Sequence, residues 1–400
     1  MRLRRTVAGC PTVGIYNVGG SRRGATGRGA RINVVPDTDQ TSFLSALEDH
    51  LHAVVRESVV APLQSVDEQL DEVAGLCRSA VQSGGKRLRP RFAYWAWRVG
   101  AAAGADPRPL VGPAAALELL HAAILVHDDV IDRSEVRRGQ PSVRAALAAG
   151  HRSAAGWGDP TDFGDHMALL VGDLLWSAAH DTFDDAVGGL PTDLARGASR
   201  VFRAMRAEVL AGQLLELRAQ AGRDYRAATA EKILRYKTSV YTVERPMELG
   251  LQVAGAADPV TVAALRDYAG AVGQAFQLRD DLADLFGTTE TSGKRTGDDI
   301  RAGKPTELLG VALNLASGPQ VDALTGIVGR ATADEADIAD VQQIMLACGA
   351  AEHVRRHIAD LVATADHALT RVAGDTDAGA LAGLEEMLVE CTELSFVPAP

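Results

Sequence analysis

From Thr41 onward, the apolar residues of this chain recur at helical spacing. Leu47, Leu51, Val55 and Val59 fall every fourth residue, and Leu63, Val66, Leu70 and Val73 continue the stripe beyond Pro62. Such positions share one helix face, which must be buried against a neighbouring helix. The pattern predicts further helices over about 165–186, 191–220, 225–254, 258–286 and 305–316, with shorter ones beyond. "GPAAALELLHAAILVHDDVID" and "PSVRAALAAG" place Pro113 and Pro141 at expected helix starts, and Gly150 just past the second helix. Pro246 is expected to kink its helix, since it removes one donor and crowds the preceding turn. Long loops are expected at 151–164 and 287–304. No strand alternation, fixed repeat or internal linker breaks the pattern between about 45 and 395. The fold expected for 41–400 is all-α, a single large helical bundle with a central cavity.

Composition narrows the classes of function. Apolar residues make up 46% of the chain and aromatics 4%, with heavy use of Ala and Leu, which favours helices over sheets. A net charge of −11 argues against nucleic acid as a partner. Cys10, Cys77, Cys348 and Cys391 are scattered without C-x-x-C pairing, which fits a reduced, cytoplasmic protein. The most apolar stretch, "PAAALELLHAAILV", is interrupted by Glu118 and His121 and is too short to span a bilayer, so no transmembrane segment is expected. The first 36 residues hold seven arginines, seven glycines and no acid. Residues 1–40 read as a disordered basic extension, in preference to a transit peptide, because no amphipathic helix is evident.

Two of the expected helices end in carboxylates. "LVHDDVIDRSEVRRG" carries Asp128, Asp129 and Asp132, and "FQLRDDLAD" carries Asp280, Asp281 and Asp284 at the same D-D-x-x-D spacing, 152 residues on. Positions i and i+4 share a face, so each triplet can aim its carboxylates above one side of its helix. Acids at a helix C-terminus oppose the macrodipole, and hard cations offset them. One such triplet is as well explained by a solvated helix end; two on facing helices are better explained by a shared cavity. Oxygen donors without His or Cys favour Mg²⁺, which keeps waters and takes phosphate oxygens, over zinc. Basic residues complete the pattern. "GGKRLRP" brings Lys86, Arg87 and Arg89 behind a glycine pair, Arg137 and Arg138 follow the first triplet, Lys237 and Thr238 lie at a helix break, and Lys294 and Lys304 follow the second triplet. Each alone is more often a surface charge than a ligand. Grouped around two acidic triplets, they offer Arg forks and Lys point charges for two diphosphates.

These motifs occur in the order "GGKRLRP", "HDDVID" with "RRG", "VGD", "GQ", "KT", "FQLRDDLAD" and "GKRTGDDIRAGKPT", and the chain from about 45 to 395 resembles the trans-isoprenyl diphosphate synthases, or polyprenyl synthetase family. The segments "AAGWGDPTDFGDH" and "YTVERPMELG" look similar to actinobacterial geranylgeranyl diphosphate synthases. The resemblance implies an isoprenoid-synthase bundle and an Mg²⁺-dependent prenyltransferase that joins isopentenyl diphosphate to an allylic diphosphate (dimethylallyl, geranyl or farnesyl). It implies Asp128 and Asp132, supported by Asp129, as metal ligands of the first motif, and Asp280, supported by Asp281 and Asp284, as those of the second. It further implies Arg137, Lys237 and Lys294 for the allylic diphosphate, and Lys86, Arg89, Arg138 and His121 for isopentenyl diphosphate. Gln277 and Thr238, with Lys237, stand where the family stabilises the developing cation. A homodimer is implied as well.

Product length is expected to follow the wall one turn before Asp128, where Ala123 and Ile124 stand. In the family, bulky aromatics there stop growth early, and neither residue is aromatic. The expectation is a C20 product, geranylgeranyl diphosphate, with farnesyl or longer products as the alternative. Two other readings compete. A class I terpene cyclase would use an N-S-E-type second motif and would not need "GGKRLRP". A non-catalytic partner subunit would have lost acidic or basic motif residues, and none is lost here.

Overall fold

The structure, a computed structural model, describes residues 38–255, 257–287, 295–372 and 376–396, all within the unit Asp37–Pro400. Residues 1–37 of the expected extension and Lys294 lie outside the described residues, whereas the extension's last residues, 38–40, open the first helix. The fold is all-α, as the spacing predicts, and the first apolar stripe forms α1 (Thr38–Val54), a π-helical stretch Val55–Val60 and α2 (Ala61–Val66). Leu47, Leu51, Val55 and Val59 are buried, but Val66 is 75% exposed. The i→i+5 turns of the π stretch advance the chain by more residues per turn, so a four-residue repeat no longer holds one face beyond it.

α3 (Asp71–Gln82) and α4 (Leu88–Gly100) precede α5 (Arg108–Ile131), which contains Pro113 within its length instead of at its start. α5 is 24 residues long with a window of mean hydropathy 1.7, long and apolar enough to cross a membrane by those measures alone, contrary to the short run read from sequence. That window is 72% buried inside the protein, as befits a core helix. Glu118 and His121, which interrupt the apolar run, find partners within the fold: Arg87 and Tyr241.

After α5 a short hairpin, β1 (Val136–Arg137) with β2 (Gln140–Pro141), places Pro141 in a strand. Ser142 then caps α6 (Val143–Ser153), which runs past Gly150. Asp159 caps α7 (Pro160–Val187) through the backbone N–H groups of Thr161 and Asp162, shortening the expected loop to 154–159. α8 (Thr192–Gly222) follows.

The helix expected to kink at Pro246 instead changes register. α9 (Ala227–Ile233) passes into a π-helix, Leu234–Glu244, and α10 (Arg245–Ala254) resumes with Pro246 in its first turn. There the missing N–H is least costly. Asp258 caps α11 (Pro259–Phe286), and α12 (Asp298–Ala302) lies beyond it, within the expected long loop. Five more helices are described between Glu307 and Thr392.

α11 is shared by two cores. Its Leu265, Tyr268 and Val272 join the larger one, built mainly from α1, α3–α8 and α10, while Leu278, Leu282 and Leu285 join a second with the C-terminal helices. Each fully buried Leu or Val contributes about 1.5–3 kcal/mol, so α11 is fixed along its whole length before it delivers its acidic end.

Candidate active site

Both acidic triplets sit at helix ends as their spacing requires. Asp128 and Asp129 occupy the last turn of α5, and Asp132 follows it, donating its backbone N–H to the Asp128 carbonyl at 2.8 Å. Asp280, Asp281 and Asp284 occupy the last two turns of α11. Two adjoining lobes open between them. An acidic lobe of about 320 Å³ is lined by Asp128, Glu216, Asp280, Asp281, Asp284 and Asp299, together with Arg137, Lys237 and Lys304. A second lobe of about 560 Å³ is lined by Lys86, Arg87, Arg89, His121, Arg137 and Arg138, and by apolar Ile124, Leu125, Ile131, Val209, Leu210 and Phe276. Asp128, Arg137, Lys237, Thr238, Gln277 and Asp280 line both, so they form the wall between the lobes.

Local structure sets each charge. Lys237 and Thr238 ride on the π-helix, whose backbone comes so close to α8 that a Cβ on Gly212 would lie 2.4 Å from the Lys237 nitrogen. Only glycine fits there. Lys237 then reaches Asp128 at 3.5 Å and forms an ion pair with the buried Glu216. Burial alone would lower the Lys237 pKa, but Asp128 and Glu216 raise it overall. Arg137, on the hairpin, donates from Nε to Asp129 at 2.9 Å and lies 3.4 Å from Asp128.

Lys304 bridges the two acidic ends. Its ammonium lies 2.7 Å from Asp132 and 3.4 Å from Asp299, and the Asp299 backbone N–H donates to Asp284 at 3.1 Å. Asp281 is only 6% exposed. Burial, then Asp299, Asp280 and Asp284, hold its carboxyl well above the usual carboxylate range, opposed by the hydrogen bond Gln277 donates at 2.6 Å.

The second lobe is basic. Arg89 stacks 4.2 Å over the Tyr241 ring and donates to Thr242 at 3.0 Å. The Tyr241 hydroxyl meets His121 Nδ1 at 3.3 Å. Burial, reinforced by Arg89, Arg138, Arg137 and Arg87, holds His121 well below its usual pKa and therefore neutral. Gly85, at φ 141°, lies beneath the Arg138 guanidinium, where a Cβ would approach Nη2 to 3.3 Å. Arg138 also donates to the Ser83 hydroxyl at 3.2 Å and to the Gly84 carbonyl.

Of the residues singled out from sequence, those of "GGKRLRP", His121, Arg137, Arg138, Lys237, Thr238, Gln277, Asp128 and the second acidic triplet line these lobes. Asp129 and Asp132 are held behind them by Arg137 and Lys304. Ile124 lies on the wall of the second lobe, whereas Ala123 is fully buried and lines neither lobe. Sequence reasoning gave no role to Glu118, Glu216, Tyr241, Thr242 and Asp299. Asp299 lies within "GKRTGDDIRAGKPT", and Glu216 lies one helical turn after the "GQ" pair; their motifs were visible, but not their partners.

A family model described as polyprenyl synthetase matches residues 71–345. A short chain isoprenyl diphosphate synthase of Methanothermobacter thermautotrophicus is 32% identical over 313 residues, covering 78% of this chain and 87% of that protein. An all-trans-nonaprenyl-diphosphate synthase of Rhodobacter capsulatus is 30% identical over 330 residues, covering 82% and 91%. Among solved structures, the geranylgeranyl pyrophosphate synthase of Corynebacterium glutamicum, crystallised with isoprenyl diphosphate and magnesium, matches with a TM-score of 0.83 at 33% identity. That match covers 90% of this chain and 99% of the other.

Proposed function

The chain belongs to the polyprenyl synthetase family of trans-prenyl diphosphate synthases, and on that premise we propose that it condenses isopentenyl diphosphate with an allylic diphosphate to give geranylgeranyl diphosphate. The observation that carries this reading is the pair of lobes with a common wall: one acidic, with cations at its margin, the other basic and continuing into an apolar pocket.

Mg²⁺ fits the first lobe. Its charged oxygen donors are carboxylates; burial first, and then repulsion from Asp299, Asp280 and Asp284, raises the Asp281 pKa, and bound cations would relieve that repulsion. Mg²⁺ takes one or two carboxylates and completes its shell with water and substrate phosphate. Asp128, Asp132 and Asp280, with Asp129, Asp281 and Asp284 supporting, would hold Mg²⁺ ions, which when bound would neutralise charge on a diphosphate leaving group.

The chain's own residues do the rest. Arg137, Lys237 and Lys304, joined by Lys294, orient the allylic diphosphate and stabilise its departure as the C–O bond breaks. Thr238 and Gln277 present oxygen to the allylic cation from the shared wall. Lys86, Arg89, Arg138 and neutral His121 hold the second diphosphate so that the isopentenyl double bond faces that cation. A new C–C bond forms, and a proton passes to the departed diphosphate, leaving a chain five carbons longer.

The C20 product is supported by Ile124 and Leu125, a non-aromatic wall of the larger lobe. Exposed Leu169 and Leu170 on α7, and Leu210, Leu214 and Leu217 on α8, support a homodimer. Cys77, Cys348 and Cys391 are free thiols, in keeping with a cytoplasmic location.

The test supplies labelled isopentenyl diphosphate with dimethylallyl, geranyl or farnesyl diphosphate and sizes the dephosphorylated products by chromatography. A dominant C20 alcohol from all three starters is expected. A stop at C15, or growth well beyond C20, would refute the product length and leave the condensation standing.

A further inference from the structure

Within "GGKRLRP" the middle cation behaves unlike its neighbours. All three border the basic lobe, but the Arg87 side chain is only 8% exposed and its guanidinium is held by carboxylates from two helices. Its Nε and Nη2 form a fork on Glu48 of α1, at 2.7 and 3.0 Å. Its Nη1 donates to Glu118 of α5 at 2.6 Å, and Nη2 also reaches the Val81 carbonyl of α3 at 3.3 Å. The residue itself sits in the left-handed region, φ 47° and ψ 42°, at the N-terminal boundary of α4. That conformation is unfavourable for a residue with a Cβ and persists only when its surroundings fix it.

The consequences converge on one diphosphate pocket. The left-handed turn at Arg87 sends its own side chain inward and leaves Lys86 and Arg89 on the cavity wall. Glu118 lies one helical turn before His121 on α5, so the Arg87–Glu118 pair fixes the helix that carries His121. Just before the turn, the Ser83 hydroxyl and the Gly84 carbonyl accept from Arg138. Four groups of the basic lobe therefore depend on a single guanidinium that does not need to touch the ligand.

We infer that Arg87 is a positioning residue for isopentenyl diphosphate: its fork on Glu48 and Glu118 sets Lys86, Arg89, His121 and Arg138 in register for one of the two diphosphates only. The acidic lobe has anchors of its own: Arg137, Lys237 and Lys304 are placed by the hairpin, the π-helix and the loop after α12, and Asp128, at the far end of α5 from Glu118, is held by Arg137 and Lys237. The inference rests on the reading that the basic lobe receives isopentenyl diphosphate.

The experiment is steady-state kinetics with each substrate varied in turn, on wild type, Arg87→Met and Arg87→Lys, with thermal unfolding in parallel. In Arg87→Met, the KM for isopentenyl diphosphate rises about tenfold or more, while that for dimethylallyl diphosphate stays within about twofold. Arg87→Lys, which keeps a charge but not the planar fork, falls between. Both KM values moving together, or neither moving while the melting temperature falls, would reduce Arg87 to a structural ion pair and overturn the inference. Should Arg87→Met fail to fold, Arg87→Lys and Glu48→Gln carry the same comparison. Calorimetric titration of isopentenyl diphosphate into wild type and Arg87→Lys separates the two levels. A wild type that binds but does not condense would contradict the proposed reaction, yet weaker binding by the variant would still support the role of Arg87. Equal binding by both proteins would refute that role.

Discussion

At the scale of single residues, the site is a set of charges whose partners decide what each can do. Glu216 is buried on α8, and its carboxylate is the nearest partner of Lys237. Glu216→Ala leaves that ammonium in a low-dielectric wall with only the more distant Asp128, so a loss of about 3 kcal/mol in urea unfolding is expected, with a fall in kcat/KM for the allylic substrate. Unchanged stability would mean that Lys237 does not need Glu216. His121 yields a pH dependence. Its folded pKa lies below its ordinary 6.5, so the unfolded chain binds the proton first. Stability from this residue is intact well above 6.5 and is lost progressively as pH falls from 6.5 toward the lower folded value. Melting temperatures measured between about pH 8 and about pH 5.5 should fall toward acid, and His121→Asn should flatten that slope. An identical slope in the variant would show that other groups govern it.

At the scale of elements, much of the site was legible because its charges recur at helical spacing. D-D-x-x-D on two helices, and the cations of "GGKRLRP" and "RRG", are local patterns that survive into the fold. What was hidden depends on phase and on tertiary partners. Ile124 is four residues before Asp128 and shares its face, while Ala123 is turned about 100° further around α5 and enters the core. The π register of Leu234–Glu244 leaves no signature in apolar spacing, so a kink was expected where the helix instead widens. Arg87 reads as a third ligand beside Lys86 and Arg89 until its left-handed turn is seen to bury it. The meeting of α8 with the π-helix rests on Gly212. Gly212→Ala must move one backbone away from the other, at a cost of about 1–3 kcal/mol, and should displace Lys237 and Thr238 from the shared wall. A variant with wild-type melting temperature and activity would show that the two helices adjust without consequence.

At the scale of the whole molecule, two helix ends carrying like charge are brought together by cores that lock α5 and α11 elsewhere along their lengths. The residual repulsion makes the fold receptive to cations. Mg²⁺ with inorganic pyrophosphate should raise the melting temperature, corresponding to about 2.7 kcal/mol at a hundredfold excess over Kd, and EDTA should reverse it. The exposed leucines of α7 and α8 predict a homodimer in sedimentation, with Leu214→Asp, at a position 63% exposed, shifting it toward monomer. The most direct measurement is incorporation of labelled isopentenyl diphosphate onto farnesyl diphosphate by the wild type and by Asp128→Asn/Asp280→Asn, with Mg²⁺ present throughout. Condensation by the wild type, and its loss by about a thousandfold or more in the variant, is the predicted result. No incorporation by the wild type, or undiminished incorporation by the variant, would contradict the proposal that the two acidic helix ends and the lobes between them form a prenyl-transfer site.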